Sequence, residues 1–168
     1  GITIAISAGY ERFHEMLVGA HEIDEHFLNA PIEKSMPVAL ALLSVWYSSF
    51  LRLETHAIIP YCERLQLLPS YLQQLSMESN GKSVTRHGQP LDYPTSPVIW
   101  GQTGTNGQHA FFQLLHQGTH TVPIDFIAAC SDMLSTPQHH EALISNMLAQ
   151  GSALMKGQSA DRTEMHLH

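Results

Sequence analysis

Three short runs rich in β-branched and aromatic residues place the strongest constraint on the fold. They span residues 55–61, 98–100 and 122–127, and each is separated from the next by a helical pattern or a turn. Strands that alternate with helical segments are typical of parallel sheets covered by helices, because a parallel pair needs a long crossover between its strands. The sequence therefore predicts an α/β fold in which helices flank a parallel sheet.

Two helical patterns precede the first run. Apolar residues three or four positions apart between Tyr10 and Phe27 indicate an amphipathic helix or a broken pair of helices. A second pattern begins at Pro31 or Pro37 and continues to Leu51. Because this second pattern is apolar on most sides, it predicts a buried helix.

The second half of the chain carries signals for a hairpin and a long final helix. The His87-Gly88 step predicts a small hairpin or surface excursion between residues 82 and 93. Thr136 followed by Pro137 predicts the start of the final helix. The inner face of that helix should carry Leu143, Met147, Leu148 and Leu154.

The two ends of the chain indicate a piece of a longer polypeptide. Gly1 leads directly into an apolar segment with no polar lead-in, and residues 160–168 are polar and without periodicity. We expect residues 1–52 to be connecting helices from a preceding domain and residues 53–168 to be most of a C-terminal domain. Ile2, Ile4 and Ile6 should then expose apolar surface.

Charge and hydropathy exclude several classes of function. The chain has 8 Lys and Arg against 15 Asp and Glu, so it has no basic excess with which to bind nucleic acid. The longest apolar run, residues 36–47, is about half as long as a bilayer-spanning helix, so no membrane segment is predicted. Cys62 and Cys130 lie outside any C-x-x-C pair, so both are predicted to be small, buried hydrophobic residues. The same pattern predicts a protein of a reducing, cytoplasmic compartment.

The first candidate site lies around the hexapeptide MESNGK, residues 77–82. Gln74 and Glu78 are four positions apart near the end of a helix expected after Pro69, so both project from one face of it. A carboxylate at the edge of an apolar face is a candidate general base, because partial desolvation favours proton uptake near neutral pH. The alternative is a solvated glutamate in the last turn, with Asn80 and Gly81 as an ordinary helix end.

A phosphate-binding loop is not predicted at this position. Gly81, Lys82 and Ser83 match the end of the G-x-x-x-x-G-K-[ST] pattern, but Ser76 stands where the first glycine is required. The preceding residues also have helical spacing, whereas such a loop follows a strand.

The second candidate site is the glycine-rich segment GQTGTNG, residues 101–107, between the run at 98–100 and a helix. Unpaired N–H groups at such a helix start can bind an anion or a hydroxylated ligand, although the glycine spacing excludes the dinucleotide fingerprint. His109 is expected in the first helical turn, where the helix dipole favours a neutral imidazole that can exchange a proton with a hydroxyl. The alternative is a tight loop of purely structural purpose.

The twelve histidines do not predict a metal site. His14, His21 and Glu25 share a helical face, but histidine ligands on a helix usually follow the tighter H-E-x-x-H spacing. His21 and His26 are five positions apart and do not match it. We therefore expect no metal.

The segments SMESNGK and SPVIWGQTGTNGQHAFFQLLHQGTHTVPIDFI closely resemble the glucose-6-phosphate isomerase family, also called the phosphoglucose isomerase family. Weaker similarity extends over almost the whole chain. The resemblance implies a three-layer sugar-isomerase domain with a parallel sheet flanked by helices and preceded by connecting helices. It also implies a cytosolic homodimer, without metal or organic cofactor, that interconverts glucose 6-phosphate and fructose 6-phosphate in glycolysis and gluconeogenesis.

The resemblance further implies roles for the three candidate residues. Glu78 would carry a proton between C1 and C2 through a cis-enediol, and Gln74 would contact the substrate. His109 would assist opening of the sugar ring and would serve the active site of the neighbouring subunit. The alternative from another class is a sugar-phosphate-binding module that does not turn its ligand over.

The family's phosphate-gripping segments, its enediolate-stabilising arginine and its late lysine match nothing in this sequence. Their absence implies that the 168 residues alone are inactive.

Overall fold

The computed structural model describes residues 1–132 and 135–157. The chain divides into two compact units, Gly1–Phe50 and a second unit that begins at Leu51. The polar stretch 160–168, in which we expect a connection to a further segment, lies outside the described residues. The assignment of the first unit to a preceding domain stays a prediction.

The first unit is helical. Its elements are α1 (Ile2–Ala8), α2 (Tyr10–Asn29), a 3₁₀ turn (Ile32–Lys34), α3 (Met36–Val45) and a π-turn (Trp46–Phe50). The pattern between Tyr10 and Phe27 forms one continuous helix, so of the two possibilities the unbroken one is correct. The helix ends before Pro31, where the extended conformation of Ala30 matches the restriction that a proline places on its predecessor.

The predicted burial of the second helical pattern is wrong. Within α3, whose residues the structure describes throughout, no side chain is buried, and Leu42 is 61% exposed. The pattern is also interrupted, because the 3₁₀ turn precedes α3 and the π-turn follows it. The exposure predicted for Ile2, Ile4 and Ile6 is confirmed.

The second unit contains a three-stranded parallel sheet, which confirms the predicted α/β fold. Its strands are β1 (Thr55–Pro60), β2 (Val98–Trp100) and β3 (Ile124–Ile127), in the order β2-β1-β3. In register, His56 lies opposite Ile99, and Ile59 lies opposite Phe126. The third strand is shorter than predicted, since it begins at Ile124, two residues after the predicted start at residue 122.

Helices flank this sheet. They are α4 (Leu68–Leu72), a π-helix (Gln73–Glu78), α5 (Gly104–Ala110), α6 (Phe112–Gln117) and α7 (Pro137–Lys156), with a 3₁₀ turn at Glu63–Leu65. The predicted hairpin is present as an antiparallel bridge between Val84 and Pro90. The predicted start of α7 is confirmed, because the Thr136 side chain accepts a hydrogen bond from the His139 backbone N–H.

A buried hydrophobic cluster lies on one face of the sheet. Alternate residues of β1 and the position after it, Ala57, Ile59 and Tyr61, form a buried cluster with Phe112 of α6. Leu143 and Met147 of α7 pack against this cluster. Leu148, predicted on the same face, is 63% exposed. Each residue of a helix is rotated by about 100° from the one before it, so Leu148 is turned away from the face that carries Met147.

The two cysteines differ in burial. Cys62 is buried, as predicted, but Cys130 is exposed. Cys130 lies beyond the end of β3, in connecting chain of the kind that usually runs over a protein surface. Across the described ranges, no helix is both long and apolar enough to cross a membrane.

Candidate active site

Gln74 and Glu78 lie on the π-helix Gln73–Glu78, which continues α4. The predicted helix is therefore present, but its second half has the rarer i→i+5 winding, which occurs often at functional sites. Both side chains are exposed to solvent. The partial burial predicted for Glu78 at an apolar edge is therefore not observed.

Several hydrogen bonds hold the end of the π-helix in place. The Gly81 N–H donates to the carbonyl oxygen of Met77 at 2.8 Å, and the Lys82 ammonium donates to the backbone carbonyl of Glu78. The Lys82 backbone carbonyl accepts from Thr95 Oγ1 at 3.0 Å. The Glu78 carboxylate itself forms no hydrogen bond or ion pair with any described residue, so no described partner occupies its oxygens.

The π-helix is attached to β2 through two side chains that sequence reasoning missed. Gln73 Nε2 donates to the carbonyl oxygen of Ile99 at 3.0 Å, and the Ile99 N–H donates to Met77 Sδ at 3.3 Å. Periodicity could not identify either residue, because both contacts are made to the backbone of a strand more than twenty positions away.

The glycine-rich loop packs directly on β1. Gly101 has φ +147°, and a Cβ there would lie 1.9 Å from the Ile58 carbonyl oxygen. A Cβ on Gly104 would lie 2.2 Å from the Tyr61 ring. These approaches support the structural explanation of the loop, since the glycines allow the chain to cross β1 closely.

Substitution of Gly104 tests this explanation. We expect Gly104→Ala to lower the free energy of unfolding by about 1–3 kcal/mol, because the new methyl group overpacks the Tyr61 ring. Gly151→Ala is the matched control. Gly151 lies within α7, and a Cβ there would lie 3.7 Å from the Phe126 ring of β3, which is an ordinary contact. We expect this substitution to raise the free energy of unfolding by about 0.5–1 kcal/mol. Urea unfolding of the purified proteins measures both. Equal stability of Gly104→Ala and wild type would contradict the packing argument.

His109 lies in the last turn of α5, so its predicted placement in the first turn is wrong. The helix starts at Gly104, inside the glycine-rich segment, and ends at Ala110; the next residue, Phe111, has a φ of −141° and separates α5 from α6. The argument from the positive end of the helix dipole therefore does not apply. His109 is exposed and has no hydrogen bond or ion pair among the described residues.

Gln108 fixes the helix that carries His109. Its Nε2 donates to Asn146 Oδ1 of α7 at 3.0 Å and to the Tyr61 hydroxyl oxygen at 3.3 Å. Burial raises the pKa of Tyr61 above its usual value, and the hydrogen bond from Gln108 partly offsets this. Tyr61 therefore remains a neutral phenol at physiological pH, and α5 is held by an uncharged network.

A cavity of about 330 Å³ lies at the carboxyl ends of the strands. Pro60, Thr103 and Ala129, which end or follow the three strands, all line it. Crevices at this edge of a parallel sheet commonly bind ligands. Neither Gln74, Glu78 nor His109 lines the cavity.

His56 and Asp125 form a further pair that the sequence did not indicate. His56 Nε2 on β1 lies 3.1 Å from Asp125 Oδ2 on β3, although no aligned hydrogen bond joins the two atoms. Only the pairing of the two strands brings these residues together. Within the described ranges, no group of three or more His, Cys, Asp and Glu side chains is placed to hold a metal ion.

The strand order, the parallel register and the flanking helices define an α/β protein with a parallel sheet. A carboxylate and an imidazole are exposed beside the sheet and unpaired among the described residues. The sequence profile described as phosphoglucose isomerase matches residues 1–168. The chain belongs to the phosphoglucose isomerase family.

Individual relatives agree with this assignment. The chain is 58% identical over 157 residues to "Glucose-6-phosphate isomerase 1" of Chromohalobacter salexigens, covering 94% of this chain and 29% of that protein. It is 53% identical over 167 residues to the protein of the same name from Chromobacterium violaceum, covering 99% of this chain and 30% of that protein. The chain thus spans about a third or less of the length of these relatives.

Two solved structures share the fold. A crystal structure of a glucose-6-phosphate isomerase from Chlamydia trachomatis matches with a TM-score of 0.78 and 43% identity, over 86% of this chain and 29% of that chain. A hypothetical protein from Thermus thermophilus matches with a TM-score of 0.64 and 29% identity, over 83% of this chain and 35% of that chain. The predicted sheet flanked by helices is thereby confirmed.

Proposed function

We propose that this chain is part of a glucose-6-phosphate isomerase, which interconverts glucose 6-phosphate and fructose 6-phosphate in glycolysis and gluconeogenesis. The observation that carries the proposal is 58% identity over 94% of the chain to a protein of that name. Because the chain spans only part of such relatives, we propose that it acts within a longer polypeptide. The groups that bind the phosphate and stabilise the enediolate would lie in the remainder.

In this proposal Glu78 is the general base. It removes the proton from C2 of the open-chain aldose while O1 gains a proton, which gives a cis-enediol. It then returns a proton to C1 while O2 loses its hydroxyl proton, which forms the ketose. The reverse reaction uses the same group. A base needs free lone pairs and a fixed position. The carboxylate has no described hydrogen-bond partner, and hydrogen bonds hold the end of the π-helix that carries it. Gln74, on the same helix, would contact the substrate.

His109 would open the sugar ring by exchanging a proton with the hemiacetal oxygens. Its exposed imidazole has no partner among the described residues, while Gln108 holds the helix that carries it. An imidazole presented in this way can serve a neighbouring subunit. We propose a homodimer in which His109 acts across the interface.

The proposed reaction needs no metal and no organic cofactor. Proton abstraction next to a carbonyl group requires one base, and ring opening requires one proton shuttle. We further propose that the protein acts in the cytoplasm and that its ligands are sugar phosphates, without nucleic acid or membrane partners.

Isotope incorporation tests the proposed reaction. The full-length polypeptide that contains this chain should convert fructose 6-phosphate in deuterated water into glucose 6-phosphate that carries deuterium at C2. NMR of the product measures this. Product entirely free of deuterium would contradict proton transfer through an exchangeable base, and binding without turnover would support the sugar-phosphate-binding module instead.

Subunit complementation tests the position of His109. A Glu78→Gln protein reassembled with an equal amount of a His109→Ala protein should recover roughly a quarter of the wild-type activity, since one site in each heterodimer of a symmetric pair would be intact. Each parent, reassembled with itself, is the control. If native mass spectrometry shows heterodimers but no activity returns, both residues belong to one subunit's site.

A further inference from the structure

The inference starts from the free edge of β2. Among the strands that the structure describes, it is the outermost in the order β2-β1-β3, so one side of its backbone faces away from β1. The Val98 N–H donates to the Glu54 carbonyl oxygen at 2.8 Å, on the β1 side. Because backbone groups alternate in direction along a strand, the N–H and C=O groups of Ile99 point outward from the sheet.

Both outward groups of Ile99 are satisfied by side chains of the π-helix. Gln73 Nε2 donates to the Ile99 carbonyl oxygen at 3.0 Å, and Met77 Sδ accepts from the Ile99 N–H at 3.3 Å. Together the two side chains replace the strand that would otherwise pair with this edge. Two side chains of the π-helix, the donor Gln73 and the acceptor Met77 four positions later, thus bind the same residue of the strand.

We propose that Gln73 and Met77 are positioning residues for Glu78; the inference rests on the proposed role of Glu78 as the base. Two contacts to one residue restrict both the rotation of the helix about its axis and its movement along β2. Gln74 and Glu78 are the next residues after Gln73 and Met77, so these restraints reach them through a single peptide bond each.

Positioning of this kind matters because the Glu78 carboxylate makes no hydrogen bond or ion pair of its own with the described residues. Its location relative to a bound substrate is therefore determined by the backbone that carries it. A displacement of about 1 Å in a reacting group can lower a rate about a hundredfold. A side chain that never touches the substrate can consequently control proton transfer.

The test is Gln73→Leu in the full-length polypeptide, since leucine keeps most of the volume and removes the donor. We expect kcat for isomerisation to fall by about ten- to a hundredfold, because the helix loses one of its two restraints. The rate at which the enzyme interconverts the anomers of the sugar, which requires ring opening through His109, should stay within about twofold of wild type. Gln66→Leu is the matched control: Gln66 is exposed just before α4 and has no side-chain hydrogen bond among the described residues.

Combination with Glu78→Gln separates positioning from general damage. Gln73→Leu should produce no further loss of proton transfer when Glu78 is already Gln, because no base remains to be positioned. Equal further losses in both backgrounds would overturn the proposal. If Glu78→Gln keeps full proton transfer, the proposed base is wrong; if it loses transfer while Gln73→Leu matches wild type, only the positioning role is wrong.

A second variant covers the case in which Gln73→Leu does not fold. Gln73→Glu keeps the shape of the side chain but replaces the donor with an acceptor facing the Ile99 carbonyl. We expect the same selective loss of isomerisation. If neither variant yields folded protein by circular dichroism, the contact maintains the fold instead of placing the base, and the proposal is overturned.

Discussion

Glu78→Gln in the full-length polypeptide should lower the rate of proton transfer between C1 and C2 by about two to four orders of magnitude. Glutamine keeps the shape of the side chain but cannot accept a proton, so substrate should still bind. The structure supports a selective effect, because the Glu78 carboxylate makes no hydrogen bond or ion pair with a described residue that the substitution would break. Exchange of solvent deuterium into the product measures the loss.

Glu141→Gln provides the matched control for charge. Glu141 is an exposed glutamate on α7, and the same neutralisation there should leave exchange unchanged. An unchanged exchange rate in Glu78→Gln would show that another group is the base. A wild-type protein that binds sugar phosphate but exchanges no proton would favour the binding module.

The sheet could be predicted from the sequence because its signal is local. The run that became β2 has the predicted boundaries, and β1 ends only one residue earlier than predicted. The start of α7 could be predicted for the same reason, since Thr136 and Pro137 promote helix initiation through contacts within the first turn. Both kinds of signal depend on neighbouring residues alone.

Predictions that depended on tertiary surroundings were less successful. Apolar composition indicated that α3 is buried, but burial requires a packing partner, and the described residues leave Leu42 and Trp46 more than half exposed. His109 was placed in the wrong turn because the helix begins within the glycine-rich segment, at Gly104, whose contact with the Tyr61 ring is not visible in sequence.

The candidate site shows the same division. Gln74 and Glu78 could be assigned to one helix from their spacing, whereas Gln73 and Met77 acquire a role only through the outward-facing backbone of Ile99. The chemistry proposed for Glu78 and His109 depends on the resemblance to a family, since the spacing alone also fits an ordinary helix end. The hydrogen bonds around Gly81 and Lys82 show that such an end is present and compatible with a base at Glu78.

Residues 1–168 alone should lack isomerase activity, because the cations needed to hold a doubly charged phosphate are few and several are already engaged. Arg12 pairs with Glu15 at 3.0 Å, Arg64 pairs with Asp132, and Lys82 donates to the Glu78 carbonyl. The formal net charge of −7 adds repulsion between the chain and an anionic substrate. Binding should therefore be weak even where Gln74 can reach the sugar.

The exposure of the three candidate residues lowers the expected rate further. Gln74, Glu78 and His109 are all exposed to solvent, where electrostatic stabilisation of an enediolate is much weaker than in a closed site. We expect turnover of fructose 6-phosphate by the isolated chain to lie about three or more orders of magnitude below that of the full-length polypeptide. The same chain with Glu78→Gln defines the background of the assay. Turnover within about tenfold of the full-length rate, abolished by Glu78→Gln, would mean that these three residues suffice without any additional phosphate-binding group.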